Sequence, residues 1–165
     1  MVIFLERMSD WVDWVVKILA VPIGIGFIMV VFISVLMRYV MQVSFISSIE
    51  LARVGFVWSC FLGATVCVKR ENHIQFNFLI DKVGTVSRKW MKLNITIISI
   101  GFFSFLVIKG IQMVQIVQHT FFPALGYSQL WLYLPLPLCA AFMLIHSIAF
   151  LARDIKSLTR REGER

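Results

Sequence analysis

The stretch that decides the fold is residues 47–76, SSIELARVGFVWSCFLGATVCVKRENHIQF. Its centre, residues 54–68, contains no charged side chain, and an acid and a base, Glu50 and Arg53, precede it. A basic turn that contains His73 follows it. An apolar run of this length with charge at both ends is typical of a helix that crosses a membrane.

Three more apolar stretches of similar length, residues 18–37, 93–108 and 130–152, surround it. About 20 residues at roughly 1.5 Å rise per residue span a hydrocarbon core of about 30 Å. The composition agrees, with 59% hydrophobic residues and a mean hydropathy of +0.86. We therefore predict an all-α integral membrane protein with a single domain, residues 1–165. Its four transmembrane helices are expected at about 15–38, 48–69, 91–118 and 130–153.

Charge predicts the orientation of the chain. It carries 16 Lys and Arg against nine Asp and Glu, a formal net charge of +7. All of these bases except Arg38, Arg53 and Lys109 lie in the N-terminal segment, in the loop between spans two and three, or in the C-terminal tail. Those parts share one side of a four-span protein, and Lys and Arg are enriched on the cytoplasmic side, so both termini are predicted to be cytoplasmic. Nucleic acid is excluded as a partner because the bases flank membrane spans rather than a compact soluble module.

Two segments beside the spans are predicted to be short interfacial amphipathic helices. Residues 2–14 place Trp11 and Trp14 at head-group depth just before span one. Residues 73–84 carry apolar side chains at helical spacing with polar ones between them, and the basic turn before them attracts anionic membrane lipid. His73, at the start of this segment, is interpreted as a capping or packing residue, with a proton-sensitive role as the alternative.

The start of span two has the spacing of a capping box. The Ser47 oxygen is expected to accept a backbone N–H of the first turn, while the Glu50 carboxylate accepts the backbone N–H of Ser47. The negative charge of Glu50 also interacts favourably with the positive end of the helix dipole. Arg53 lies one turn further on. Two interpretations remain open for Glu50 and Arg53: a local ion pair at the outer interface, or a pairing of one of them with a partner protein. Charged groups inside a membrane boundary are costly unless matched.

Span three ends in a polar series, mostly at spacings of three or four residues: Lys109, Gln112, Gln115, Gln118 and His119. That spacing aligns side chains on one face of a helix. The face borders water near the outer leaflet, a neighbouring span or a partner, and we predict that it borders a partner rather than lipid.

Metal, haem and hydrolytic sites have little support in the sequence. Cys60 and Cys67 share a helix face without a second ligand type nearby, so they and Cys139 are interpreted as small buried thiols. Haem needs axial ligands at one depth on facing helices, and His119 and His146 make a poor pair. The chain also lacks a Ser, His and Asp set, paired carboxylates and an HExxH motif.

Seven short motifs occur in a distinctive order along the chain. They are ELAR at 50–53, FVW at 56–58, FLGA at 61–64, Arg70, HI at 73–74, PALG at 123–126 and WLYLPLP at 131–137. In this order they resemble the DctQ family, the small membrane subunits of tripartite ATP-independent periplasmic (TRAP) transporters. The resemblance covers nearly the whole chain, and a four-span topology with both ends inside is the family's. One departure is that Arg-Glu-Asn precedes His73, where a glycine is often found.

The resemblance implies a function that the residues alone do not indicate. In that family the small subunit binds a large multi-span subunit, which carries the substrate and sodium sites and moves as an elevator. A soluble periplasmic protein captures an organic acid and delivers it. This chain is then expected to be a scaffold in the bacterial inner membrane for sodium-coupled uptake of a sialic acid, a C4-dicarboxylate or a similar acid. It is expected to be no enzyme and to bind no metal or cofactor. The candidate subunit-interface or structural residues are Glu50, Arg53, Trp58, Gly63, Arg70 and His73.

The residues agree with an accessory role and leave one main rival. The centres of spans one to three contain no ionisable side chain, whereas transporter ion sites use polar groups near the midplane. Small residues such as Gly24, Gly26, Gly55 and Gly63 permit close helix approach. The alternative is a self-assembling four-span small exporter or another membrane accessory protein. Such exporters commonly need a carboxylate within a span, and Glu50 lies at an end.

Overall fold

Five helices make up most of the part of the chain that the structure describes. A computed structural model describes residues 2–42, 46–71 and 85–162. The helices are α1 (Val2–Val40), α2 (Ile46–Glu71), α3 (Thr85–Val117), α4 (Leu130–Tyr133) and α5 (Pro135–Glu162). Within those ranges the structure contains no β-strand, only an isolated bridge between Phe121 and Ser128. The predicted all-α fold is therefore confirmed.

Among the described residues, four apolar segments are long enough to cross a membrane. They are Glu6–Val40, Ile46–Arg70, Leu93–Val117 and Leu130–Asp154, and the last combines the short α4 with most of α5. This confirms the prediction of an integral membrane protein with four transmembrane helices. The interfacial helix predicted at residues 73–84 lies outside the described residues.

Residues 2–14, predicted to form a separate interfacial helix, are the first part of α1. It runs unbroken for 39 residues, roughly 58 Å, which exceeds a hydrocarbon core of about 30 Å. Trp11 and Trp14 are 67% and 62% exposed on its first part, where tryptophan anchors a helix to the membrane interface. The prediction of a separate element is wrong because no glycine or proline interrupts residues 2–21.

The central helix of the bundle is α5. It packs against α1, α2 and α3, while α1 also packs along α2. Of the four apolar segments, its own is the most buried. Cys139 of α5 joins Val12, Val16 and Leu62 in the central apolar cluster. The other three long helices keep broad apolar faces exposed, as helices that border lipid or another membrane protein do.

Two glycines bring helices close together. A Cβ atom placed on Gly110 of α3 would lie 3.0 Å from the backbone nitrogen of Pro137 in α5. One placed on Gly55 of α2 would lie 3.1 Å from the Cβ of Phe27 in α1. Both distances are well below the usual spacing of side chains in contact, about 4.0–4.5 Å. Pro135 and Pro137 occupy the first turn of α5, where a missing N–H costs least, so the proline can serve as the surface on which Gly110 packs.

The cysteines are all free, and only Cys139 is buried. Cys60 and Cys67 are exposed on α2, so the prediction of buried thiols is wrong for these two. A thiol behaves as a small apolar group, and an outer face in the membrane accepts it as readily as the core does. Within the described ranges, no group of three or more His, Cys, Asp or Glu is arranged to hold a metal ion.

Candidate functional site

The connection between α3 and α4, residues 120–129, folds into a compact loop. The Phe122 N–H donates to the Tyr127 carbonyl over 2.8 Å, and the Gly126 N–H donates to the Phe122 carbonyl over 3.0 Å. Gly126 has a φ of +68°, a left-handed conformation that glycine adopts without steric cost. Phe122 is buried, whereas the other residues of the loop are exposed or half-buried.

Glu50 holds this loop against α2. Its Oε1 accepts the N–H of Ala124 over 3.2 Å, and its Oε2 accepts the N–H of Leu125 over 2.9 Å. Glu50 is only 8% exposed. Hydrogen bonds to a charged acceptor contribute about 1.5–3 kcal/mol each, more than neutral ones. We call Glu50 together with residues 120–129 the loop end of the bundle.

The contacts of Glu50 correct two predictions. The carboxylate does not pair with Arg53, which is exposed and forms no ion pair with any described residue. Ser47 is not the N-cap of α2, because the helix already includes Ile46. Both predictions used neighbours along the sequence, whereas the groups that bond Glu50 lie 74 and 75 residues away.

Trp58 makes a second contact between α2 and the same connection. Its indole Nε1–H donates to the backbone carbonyl of Trp131 over 2.9 Å. Trp131 belongs to α4, so α2 is bonded both to the loop and to the helix that follows it.

For the remaining candidate residues, the structure shows no such partner among the described residues. Arg70 is exposed at the end of α2, and a Cβ placed on Gly63 would meet no atom within 4 Å. Among the described residues, Gly63 is therefore not a point of close helix approach, whereas Gly55 is. His73 lies outside the described residues. A contact of Arg53, Gly63, Arg70 or His73 with another subunit stays a prediction.

The polar stripe predicted on α3 lies on an outer surface. Lys109, Gln112 and Gln115 are exposed, and the Lys109 Nζ donates to the Gln112 Oε1 over 3.1 Å. Ile108 and Ile116 beside them are 58% and 73% exposed. The stripe thus interrupts an apolar face with groups that lipid tails cannot hydrogen-bond.

A second polar site lies at the opposite end, where α1 meets the end of α2. The Lys69 Nζ lies 2.7 Å from Asp10 Oδ1 and 3.7 Å from Asp13 Oδ2, and it donates to the Ser9 carbonyl over 3.1 Å. Lys17, one turn along α1, also pairs with Asp13. The side chain of Asp10 is 74% exposed and that of Asp13 is 11% exposed, so the pair with Asp13 is the one shielded from water.

The helix α5 adds His146 to this site. Its Nδ1 lies 2.7 Å from the Ser9 Oγ, and the residue is fully buried. The His146 Nε2 and the Asp13 Oδ1 are buried without a hydrogen-bond partner in the part of the chain that the structure describes. Three helices therefore meet through polar side chains, which we call the cluster end: Ser9, Asp10, Asp13, Lys69 and His146.

The sequence carries only weak signals for the cluster end. Asp10 and Asp13 are an acidic pair at helical spacing, which is usual on a solvated helix face. His146 is an ionisable residue within an apolar span, which is by itself a reason to expect a polar partner. Its partner helix cannot be read from local spacing, since even Lys69 and Asp10 are 59 residues apart.

Most of the chain matches one known family. Residues 27–157 match the family described as "Tripartite ATP-independent periplasmic transporters, DctQ component". This chain belongs to the DctQ family. The resemblance carried by the short motifs is therefore confirmed.

Two relatives match over most of their own length. The chain is 25% identical over 146 residues to the "Sialic acid TRAP transporter small permease protein SiaQ" of Vibrio cholerae serotype O1, covering 87% of this chain and 83% of that protein. It is 25% identical over 127 residues to a Haemophilus influenzae protein assigned to the same class of TRAP small permease proteins, covering 76% and 78%. The chain is a TRAP transporter component and, with its four apolar helices, a multi-pass protein of the bacterial inner membrane.

Membership of the DctQ family rules out the enzyme alternative. The family consists of transporter components, which confirms that this chain is not an enzyme. The two histidines considered as a haem ligand pair are not brought together. His146 is buried at the cluster end, whereas His119 is exposed next to the loop end. The two ends are separated by the α2 segment between Glu50 and Lys69, roughly 29 Å of helix.

In this DctQ chain, motifs that are distant in the sequence contact each other. Glu50 of ELAR bonds Ala124 and Leu125 of PALG. Trp58 of FVW bonds Trp131 of WLYLPLP. These motifs therefore fix the connection between α3 and α5 to the side of α2.

Proposed function

We propose that this chain is the small permease subunit that serves as the membrane scaffold for the large elevator-type subunit of a TRAP transporter. The complex takes up an organic acid that a periplasmic binding protein delivers, and sodium drives the uptake. Both ion and substrate sites reside on the large subunit, so this chain itself holds no cofactor.

The observation that carries the scaffold role is where the polar contacts lie. Glu50 is bonded to backbone N–H groups at one end, and Lys69 and His146 are bonded to α1 at the other. The first set holds the loop of residues 120–129 to α2, and the second holds helices to one another. Within the described ranges, the interior of the bundle between its two ends offers no charged group to coordinate an ion or an organic acid. A bundle with stabilising polar contacts at both ends fits a static scaffold subunit better than a subunit that moves or conducts the substrate.

The α3 stripe is the best candidate surface for the large subunit. Lys109, Gln112 and Gln115 are exposed where lipid tails offer no hydrogen-bond partners. A neighbouring membrane protein satisfies such groups, and its apolar side chains cover the isoleucines around them. Arg53, an exposed cation on α2, is a second candidate contact.

The proposed orientation places both termini in the cytoplasm. Lys69 belongs to the cluster end, and Lys17, Arg70 and Arg153 lie near it. Arg53 of α2 and Arg38 at the end of α1 lie on the side of the loop end. An excess of Lys and Arg marks the cytoplasmic side. Fusions of a periplasm-active phosphatase and of a cytoplasm-fluorescent protein to the C-terminus test this orientation, and phosphatase activity would contradict it.

Assembly is the direct test of the scaffold role. The tagged chain is co-expressed with the large multi-span subunit encoded beside it, purified in mild detergent and weighed by native mass spectrometry. A stable heteromeric complex is expected. A homo-oligomer that transports in liposomes without the large subunit would instead support the self-assembling exporter.

Photo-crosslinking tests the proposed surface within that complex. A photoreactive residue at Gln112 or Gln115 is expected to link to the large subunit, and the matched probe at Phe102, lower on the exposed face of α3, is expected to link mainly to lipid. Crosslinks to lipid alone from both glutamine positions would overturn this surface. Charge reversal, Arg53→Glu, is expected to lower the yield of complex more than Cys60→Ser on the same helix.

Substrate and coupling are tested on the reconstituted complex with its binding protein. Sialic acids, C4-dicarboxylates and other keto or sugar acids are the classes to compare. Uptake into liposomes is expected only with an inward sodium gradient. Equal uptake with a potassium gradient would contradict sodium coupling.

A further inference from the structure

A pocket opens between α1, α2 and α5 beside the cluster end. It has a volume of about 350 Å³, and its wall includes Glu6 and Asp10 of α1, Lys69 of α2, and Phe150 and Arg153 of α5. We call it the cluster-end pocket. The volume falls within the range of about 300–1,000 Å³ that is usual for small-molecule sites.

One acidic and one basic side chain that line this pocket have no polar partner among the described residues. Asp10 and Lys69 already pair with each other over 2.7 Å. Glu6 is half-buried and Arg153 is exposed, and neither forms a hydrogen bond or ion pair with a described residue. Both nevertheless line the same pocket. A ligand that carries one cation and one anion would complement this pair.

The position of the pocket relative to the apolar spans indicates the depth at which that ligand lies. Glu6 is the first residue of the apolar span in α1, Lys69 is the next-to-last of the span in α2, and Arg153 is the next-to-last of the fourth span. The exposed Trp11 and Trp14 occupy the first turns of the same α1 span. Three span ends and two tryptophans thus place the pocket at the level of the lipid head groups.

We propose that the cluster-end pocket binds the head group of an aminophospholipid, with phosphatidylethanolamine as the type. The phosphate pairs with the Arg153 guanidinium, and the primary ammonium donates to the Glu6 carboxylate. Phe150, on the apolar part of the wall, contacts the glycerol and the start of an acyl chain. This site is independent of the proposed transport role.

The charge pattern also distinguishes this lipid from its neighbours in a membrane. Phosphatidylglycerol offers a phosphate to Arg153 but no cation to Glu6. Phosphatidylcholine has the same net charge as phosphatidylethanolamine, but its quaternary ammonium has no N–H to donate, whereas a primary ammonium has three. The pocket is therefore expected to prefer phosphatidylethanolamine over both.

Native mass spectrometry of the full-length chain in mild detergent tests the preference. Phosphatidylethanolamine, phosphatidylcholine and phosphatidylglycerol with the same acyl chains are added in equal amounts. Retained phosphatidylethanolamine is expected to exceed phosphatidylcholine about tenfold, the effect of one charge-assisted hydrogen bond. Equal retention of all three lipids would overturn the proposal.

Three variants assign the binding to this pocket. Arg153→Gln is expected to reduce retention of phosphatidylethanolamine and phosphatidylglycerol about tenfold. Glu6→Gln is expected to remove the preference for phosphatidylethanolamine over phosphatidylcholine. Arg7→Gln, which removes an exposed charge next to Glu6 but outside the pocket, is the matched control and is expected to change nothing.

The same variants distinguish lipid from protein as the occupant. All three must keep the helical circular dichroism of the parent chain, which is expected because neither Glu6 nor Arg153 bonds a described residue. If neither Glu6→Gln nor Arg153→Gln alters lipid retention, the proposal fails. It also fails if the chain in complex with the large subunit retains no lipid and Arg153→Gln lowers the yield of that complex, because the pocket is then a protein contact.

Discussion

The two ends of the bundle hold their helices together by different means. At the loop end a single carboxylate, Glu50, accepts two consecutive backbone N–H groups. At the cluster end side chains bond side chains, with Lys69 between Asp10 and Asp13, and Ser9 against His146. A backbone partner is present whatever the side chains of the loop are, whereas a side-chain network depends on each of its members. At the loop end, the substitution of one residue, Glu50, is therefore expected to remove most of the stabilisation. At the cluster end, each substitution is expected to remove only part of it.

The largest effect is expected from Glu50→Ala. It removes the acceptor of two charge-assisted hydrogen bonds and leaves the N–H groups of Ala124 and Leu125 unbonded, a loss of about 3 kcal/mol. Unfolding in mixed micelles of mild detergent and sodium dodecyl sulfate measures the change in free energy. Glu50→Gln should lose less, because its amide keeps one acceptor oxygen.

The control for Glu50→Ala is Arg53→Ala, one turn further along α2. Arg53 is exposed and bonds no described residue, so its replacement is expected to change stability by less than about 0.5 kcal/mol. If the two alanine variants unfold alike, the loop end does not depend on the Glu50 carboxylate.

The next effect is expected from Lys69→Met at the cluster end. The change leaves Lys17 as the one cationic partner of Asp13 among the described residues and removes the bond to the Ser9 carbonyl. Breaking a fully buried pair costs about 3–5 kcal/mol, but the Lys69 side chain is 19% exposed and Lys17 remains, so about 2 kcal/mol is expected. The same detergent titration measures it.

Two further variants show which contact of Lys69 matters. Lys109→Met removes an exposed lysine of the same length and is expected to cost at most about 0.5 kcal/mol. Asp10→Asn is also expected to cost less than about 1 kcal/mol, because the Asp10 side chain is 74% exposed. If Asp10→Asn costs as much as Lys69→Met, the stability lies in the outer pair and not in the shielded one.

The two ends also differ in how far the sequence predicts them. The four spans follow from apolar length alone, and the motif order identified both Glu50 and the PALG loop, although not that they contact each other. The cluster end was not predicted because its members lie in separate helices. Each also has an ordinary explanation on its own: a solvated acid, a lysine at a span end, a histidine in an apolar run. Local patterns report spacing along one helix. The way α1, α2 and α5 meet depends on packing, which brings Ser9 and His146 together across 137 residues.

A smaller effect is expected from Trp58→Phe. The change keeps an aromatic ring on α2 but removes the indole N–H that donates to the Trp131 carbonyl, a loss of about 1 kcal/mol. Cleavage of residues 120–129 by a protease should become faster, because this bond helps to hold the connection to α2. Trp14→Phe is the matched control, since Trp14 is 62% exposed; faster cleavage in both variants would mean that the Trp58 bond is not the cause.

The smallest effect tests whether the two ends are independent. Glu50 and Lys69 are separated by roughly 29 Å along α2 and share no partner. The losses of Glu50→Ala and Lys69→Met should therefore add to within about 0.5 kcal/mol in the double variant, as they do for distant sites. Lys69→Met combined with Asp13→Asn is the positive control, because these two residues contact each other and should couple by about 0.5–3 kcal/mol. A coupling energy above about 1 kcal/mol between the two ends would mean that α2 transmits strain from one end to the other. The stability of each end would then depend on the contacts at the other.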